Sequence, residues 1–454
     1  MARAEAPTPP GRPPRTGSAG AAPAAGAARP ARPARAAAGE SDRAPAWYRR
    51  GRRALRRTRR TLGRPLTPYY LILGATALLL VLGLVMVFSA SQIEAYDNGL
   101  PLQYYFTRQL FGVGLGLALL LVALRLPVTA HRAIAYPLLL VALGLLALVF
   151  VPGIGLTVNG QRNWIQFGGP FQFQPSEFAK LALVVWGADL LARKERLGTL
   201  AQWRHLFVPL LPVGMVLMVP VMLGGDMGTT MIMVAILFAL LWLSGAPMRL
   251  FAVVLTAAGL LGWYFFNAES HRVDRLACVG NPSDADGCQQ AVHGMYALAT
   301  GGISGSGLGA SVEKWGQLPE PHTDFILAVI GEELGLAGTL SVLVLYTAIG
   351  YAGLRVALGT RDPFVRYTCG AVVIWIMSQA TVNIGSVLAL LPIVGVPLPL
   401  VSYGGSAMLP TMFALGLLLA CARGEPAARR ALAARGPGLL GKTVARLRPR
   451  KRKR

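Results

Sequence analysis

The sequence predicts an all-α polytopic membrane protein. It should have about ten transmembrane helices, both termini in the cytoplasm, and a large extracytoplasmic loop between helices seven and eight. Three observations carry this. Hydrophobic residues make up 54% of the 454, and charged residues only 14%, against about 25% in an ordinary soluble domain. Apolar stretches recur at 69–91, 108–125, 132–152, 177–193, 206–224, 229–246, 249–267, 323–354, 366–391 and 408–423, each near the ~20 residues a membrane helix needs. With both tails inside, 38 of the 44 Lys and Arg fall on the cytoplasmic side, as the positive-inside rule requires. This composition excludes a soluble enzyme and a disordered chain.

The net charge of +24 does not mark a nucleic-acid binder. Residues 1–68 carry net +13 and residues 422–454 net +11, so the body between is neutral. The first 68 residues are rich in Pro, Ala, Gly and Arg and lack apolar periodicity. They are expected to be a disordered cytoplasmic tail. Without an apolar h-region, they do not read as a cleaved leader. Residues 69–421 form the membrane domain, and 422–454 a second basic tail. Such tails anchor topology and touch anionic lipid; a partner-binding role is the alternative.

The fourth and sixth stretches are short. The eighth is long and is expected to tilt or to extend beyond the bilayer. Inside loops are short and basic, whereas 153–176, 268–322 and 392–407 are long outside loops, where function concentrates. Loop 153–176 ends in Gln174-Pro175-Ser176-Glu177. Pro175 suits a first helical turn, and Glu177 and Lys180 share a face at i,i+3. Lys180 lies inside a span, at a cost of about 3 kcal/mol on insertion scales, so it needs a partner. Glu177 is the nearest, and a pair that merely pins the helix end is the plainer reading. Asp226 in GGDMGTT occupies a tight outward turn.

Loop 268–322 holds Arg272, Arg275, Asp284 and Asp286. Cys278 and Cys288 lie ten residues apart, and on the oxidising outer face they are candidates for a disulfide. Cys369 and Cys421 fall in apolar runs and read as packing residues. No ligand spacing for a metal is present. The run GGISGSGLGASVEKWG loosely resembles a phosphate-cradling loop. Arg272, Arg275 and Lys314 would suit a pyrophosphate. An exposed carboxylate could act as general base, or simply be solvated. Further along, Glu320 and His322 precede Asp324, which opens the eighth span where an acid suits the helix dipole. Glu332 and Glu333 lie deeper and point about 100° apart, so they cannot both meet one ligand and one should brace a neighbouring helix; an intramembrane acid is a functional candidate or a hydrogen-bond brace. Asn383 opens the stretch that reaches Ser402-Tyr403-Gly404-Gly405. Pro397 and Pro399 forbid regular helix there, so the segment should line a buried cavity.

Four of these stretches together resemble the SEDS family (shape, elongation, division, sporulation) of membrane peptidoglycan polymerases. They are NGQRNWIQFGGPFQFQPSEFAK, GGDMGTT, GSGLGASVEKWGQLPEPHTDFILAVIGEELG and NIGSVLALLPIVGVPLPLVSYGGSAML. KWGQLPE before HTDFI looks more like the division-type members than the elongation-type. The resemblance implies a lipid II glycosyltransferase that releases undecaprenyl pyrophosphate with inversion. It implies an essential Asp in the large loop, here Asp286 with Asp284 in reserve, because the local pattern departs from the family's. Glu177 and Lys180 match the QPSE-x-x-K motif beside the same cavity. Glu320, His322, Asp324, Ser402, Tyr403, Gly404 and Gly405 are assigned to substrate binding with Arg272, Arg275 and Lys314. No dedicated cofactor is implied; a divalent cation, Mg or Mn, would arrive on the pyrophosphate. The implied partners are lipid II, undecaprenyl-linked glycan, a class B penicillin-binding protein transpeptidase and other division membrane proteins, with no nucleic acid. A lipid II flippase and a non-enzymatic division scaffold are the alternatives.

Overall fold

The computed structural model describes residues 63–158, 160–166, 172–201, 208–267, 278–280, 282–283, 288–316 and 318–434. In chain order the helices are α1 Thr67–Asp97, α2 Tyr104–Arg125, α3 Val128–Ala133, α4 Ala135–Leu148, α5 Pro175–Arg196, α6 Leu210–Leu223, α7 Met227–Leu243, α8 Met248–Asn267, α9 Gln289–Gly301, α10 Ile326–Gly359, α11 Pro363–Val387, α12 Gly405–Gly424 and α13 Pro426–Ala434. Each of the ten apolar stretches contains a helix among the described residues. Among the described residues, α1, α2, α10, α11 and α12 are long and apolar enough to cross a membrane. Their outward faces carry large apolar side chains, such as Leu78, Val81 and Val85 on α1 and Leu110, Phe111 and Leu121 on α2. That surface suits lipid and would be a liability in water.

Helix α5 sits at the centre. Apart from Phe178, every residue from Pro175 to Ala192 is buried. It packs against α4, α7, α11 and α12. A helix buried all round is normally apolar all round, yet this one encloses Glu177, Lys180 and Asp189. Asp189 is held between Arg132 at 2.7 Å and Arg193 at 2.6 Å. Arg366 reaches Glu195 at 2.6 Å nearby. These pairs tie together the basic end of the bundle.

Three features depart from the expected all-α plan. Loop 153–176 contains a three-stranded antiparallel sheet: β1 Gly155–Val158, β2 Gln161–Gln166 and β3 Gln172–Phe173. Val158 pairs with Gln161, and Gly160 between them takes φ +77°, the left-handed region that glycine enters freely. Within loop 268–322, residues 289–301 form α9 and pack on α10. The long eighth span is not one straight helix, because α10 breaks at Gly335, where φ is +66°.

The glycine run explains that break. A Cβ on Gly305 would lie 2.2 Å from the Glu333 carbonyl oxygen, and one on Gly301 would lie 1.9 Å from that of Gly331. The glycines therefore let the loop backbone press onto α10, where it repairs the interrupted hydrogen-bond ladder. Ser306 N donates to Glu332 O, Gly307 N to Glu333 O, and Leu336 N to Gly302 O. The likeness to a phosphate cradle gives way to this packing role. Likewise, α2 and α12 approach closely at Gly416, where a Cβ would meet Leu120 O at 2.5 Å, the small-residue packing common between membrane helices.

Gly416→Ala is expected to lower the thermal unfolding midpoint in detergent, at the roughly 1–3 kcal/mol of an overpacked core. Gly114→Ala, in the same helix pair but facing open space, should be neutral or raise it, since Ala favours helix by up to about 1 kcal/mol. The reverse order would contradict the packing described here.

Candidate active site

The polar centre is built on α5 and α11. Pro175 occupies the first turn of α5, which places Glu177 and Lys180 one turn apart inside the bundle. Lys180 Nζ donates to Glu177 Oε1 at 2.6 Å and to Gln379 Oε1 at 3.1 Å. The ammonium also lies 5.4 Å from the Trp375 ring centroid, a favourable cation–π distance. Trp375 Nε1 donates to the same Gln379 oxygen at 2.9 Å. All four side chains are buried. The second Glu177 oxygen is buried without a hydrogen-bond partner, an acceptor left over in the polar centre.

Gln379 carries the connection onward, because its Nε2 donates to Pro397 O at 3.0 Å. Asn383 Nδ2 donates to Val396 O and to Asp324 O. Tyr346 Oη donates to Pro399 O, and Leu398 N donates to Ser402 Oγ at 2.8 Å. The irregular segment 388–404 thus has its backbone groups met by side chains, as buried non-helical backbone must. Gln379, Pro397, Leu398, Ser402, Gly404 and Thr411 line a small cavity beside it. Asp226, at the start of α7, accepts from Thr229 N, Gln174 Nε2 and Ser176 Oγ. It joins the beginnings of α5 and α7 and works as a brace.

A second buried network lies between α1, α10 and the glycine run. Lys314 Nζ stands 2.9 Å from Glu333 Oε1, and Ser89 Oγ donates to that oxygen at 2.6 Å. Glu332 accepts from Ser311 Oγ and from Val312 N. Both acids therefore act as braces. Lys314, grouped by sequence with the cations for a pyrophosphate, turns inward and is already neutralised.

Around the start of α10, His322 lies between the rings of Tyr105 and Tyr403. Its Nδ1 is 3.0 Å from Glu94 Oε2 on α1. Tyr403 N donates to His322 O at 2.9 Å. Glu320 accepts from Thr323 Oγ1 at 2.9 Å. Gln109 donates to Ser402 O and accepts from Gly404 N, while Gly405 opens α12. Burial raises the Tyr403 phenol above its ordinary value, so it stays protonated at physiological pH. Cys278 and Cys288 are joined by a disulfide. Cys369 and Cys421 are free and buried. Arg272, Arg275, Asp284 and Asp286 lie outside the described residues, as do 1–62 and 435–454.

Sequence reading assigned no site role to Glu94, Gln109, Gln379, Ser89 or Trp375. Gln379 and Gln109 were detectable in principle as polar residues within apolar stretches. Ser89 and Trp375 carry no such signal.

The structure thus defines a helical, multi-pass membrane protein with a buried charge pair under a loop-rich end. The family model for the FtsW, RodA and SpoVE cell cycle proteins matches residues 69–426, and the chain belongs to that family. A probable peptidoglycan glycosyltransferase FtsW from Mycobacterium tuberculosis is 41% identical over 377 residues, covering 82% of this chain and 71% of that protein. Stage V sporulation protein E of Bacillus subtilis is 35% identical, covering 79% of this chain and 97% of its own length. Among solved structures, a chain from a study of how a peptidoglycan synthase complex coordinates polymerization and crosslinking aligns with TM-score 0.61 at 29% identity, covering 78% of this chain and 96% of that one. The rod shape determining protein RodA of Thermus thermophilus aligns with TM-score 0.56 at 27% identity, over 78% and 96% of the two chains.

Two outcomes are expected. Glu177→Gln and Lys180→Met should each destabilise strongly, since breaking a buried pair costs about 3–5 kcal/mol. The double variant should lose less than the sum of the singles, as read from unfolding midpoints in a double-mutant cycle. Alkylation of the denatured, unreduced chain should label two cysteines, and four after reduction, counted by intact mass.

Proposed function

We propose that this chain is a peptidoglycan glycosyltransferase that polymerises lipid II into glycan strands for septal wall synthesis. The observation that carries this is the family match over 69–426, which takes in both the buried polar centre and the large loop. It is supported by relatives named as FtsW glycosyltransferases at 41% and 37% identity. In this reading all ten apolar helices span the cell membrane of a bacterium, both termini are cytoplasmic, and the loop-rich end faces outward at the division site. Residues 1–68 and 422–454 are basic cytoplasmic tails.

The reaction joins two lipid-linked units. The 4-hydroxyl oxygen of one glucosamine attacks the anomeric carbon of the other chain. The glycosidic bond forms as the bond to undecaprenyl pyrophosphate breaks, and the configuration inverts. Asp286 takes the hydroxyl proton, with Asp284 as the alternative base. A carboxylate with a reference pKa of about 3.9 is a weak base for an alcohol, so proton transfer runs late, as the oxygen becomes acidic on bonding to carbon. Arg272 and Arg275, aided by any divalent ion carried on the substrate, balance the leaving pyrophosphate. Lys314, already paired with Glu333, holds the loop instead. Glu177 and Lys180 keep the floor of the cavity in place, and Glu320, His322, Asp324 and Ser402 to Gly405 shape its rim. A class B penicillin-binding protein is the crosslinking partner. This fits the likeness to a chain studied within a peptidoglycan synthase complex.

Purified chain with its transpeptidase partner should form glycan polymer from lipid II in liposomes. Asp286→Ala, folded by the same thermal criterion as wild type, should lose at least a hundredfold in rate, in the range of general-base loss. Loss confined to Asp284→Ala would move the base by two residues. No polymer from folded wild type would overturn the assignment.

A further inference from the structure

We infer that Glu94, Glu320 and His322 form a divalent-metal site held by the protein itself. One ligand atom from each lies within 4.8 Å of the others. The set is invisible to sequence spacing, because Glu94 lies in the last turn of α1 and the other two lie far along the chain in the turn before α10. That is why the sequence reading placed no metal ligands here.

The second observation is the imidazole. His322 is almost completely buried, and its Nδ1 makes no hydrogen bond. The Glu94 carboxylate oxygen is 3.0 Å away, but out of line with the nitrogen. A buried ring nitrogen 3.0 Å from a carboxylate, yet without a hydrogen bond to it, is a polar atom poorly met. A cation between them meets all three at once, with ring lone pair and carboxylates both serving as ligands. Two carboxylates also cancel a divalent charge.

The surroundings hold the ligands in place. The Tyr105 and Tyr403 rings flank the imidazole at 4.8 and 5.3 Å between centroids. The His322 carbonyl is fixed by Tyr403 N, and Thr323 Oγ1 donates to Glu320. Glu320 keeps φ at +54° directly before Pro321, a conformation disfavoured for its residue type and for any residue preceding proline. One imidazole with two carboxylates suits a first-row ion such as Mn²⁺ or Zn²⁺ better than Ca²⁺. Three protein ligands leave positions open, as in sites that exchange water for another oxygen ligand. Part of Glu94 is exposed. The bound ion would staple the end of α1 to the turn that starts α10.

Binding is testable without turnover, so its failure is separable from failure of the polymerase assignment. The full chain in detergent is stripped with EDTA, then titrated with Mn²⁺ and, separately, with Zn²⁺. One ion per chain is expected. The Mn²⁺ form should show nitrogen modulation in pulsed EPR from a single imidazole. Glu94→Gln should weaken binding at least tenfold, and His322→Gln should abolish the nitrogen modulation. Glu94→Gln alters a partly exposed side chain, so it remains informative if His322→Gln misfolds. Absence of saturable binding by either ion, or wild-type affinity in Glu94→Gln, would overturn the proposal.

Discussion

The structure depends on keeping a charge pair inside its central helix. Lys180 and Glu177 cannot be solvated where α5 places them, so the neighbouring helix must supply what water would. It supplies the Gln379 carbonyl oxygen and the Trp375 ring. Each of these choices constrains the next. With its oxygen occupied by two donors, Gln379 turns its NH₂ group to Pro397 O. The irregular segment beyond is therefore set by a charge buried inside the bundle. A buried ion pair seldom adds net stability over an apolar substitute. What this one provides is a fixed orientation for a segment that lacks a hydrogen-bond ladder of its own.

The same logic recurs on the other side of the loop-rich end. Helix α10 breaks at Gly335, and the freed backbone groups are met by the glycine run, which in turn is fastened by Glu332 and by the Glu333–Lys314–Ser89 cluster. Two non-helical segments, 302–316 and 388–404, are thus each anchored by a buried polar network instead of by regular structure. Between them lie Asp324 and His322, which contact the second segment through Asn383 and Tyr403. Preorganised donors and acceptors of this kind are what a transferase needs to hold a charged, lipid-linked substrate without reorganising around it.

Much of this was legible in the sequence where the signal is local. Each of the ten apolar stretches contains a helix among the described residues, Pro175 begins α5, and the i,i+3 spacing of Glu177 and Lys180 brings them into contact. Where the signal is not local, sequence reading falls short. Ser89 and Glu333 are 244 residues apart, and no periodicity relates them. The three short strands of 153–176 contribute too few residues for an alternating pattern to stand out from a loop. The glycine run was read for a ligand because glycine's freedom serves close approach to a phosphate and to another backbone alike; only the fold shows that the partner is α10. Glu94 carries no local signal at all; only folding sets it against His322.

The central claim is that the buried pair governs the irregular segment at a distance. Hydrogen–deuterium exchange on Glu177→Gln/Lys180→Met tests it most directly, because that variant removes both charges without stranding one. The account expects the chain to stay folded while the amides of Leu398, Val401 and Ser402 exchange at least tenfold faster than in wild type. Wild-type protection at those three amides, with any loosening confined to α5, would contradict it.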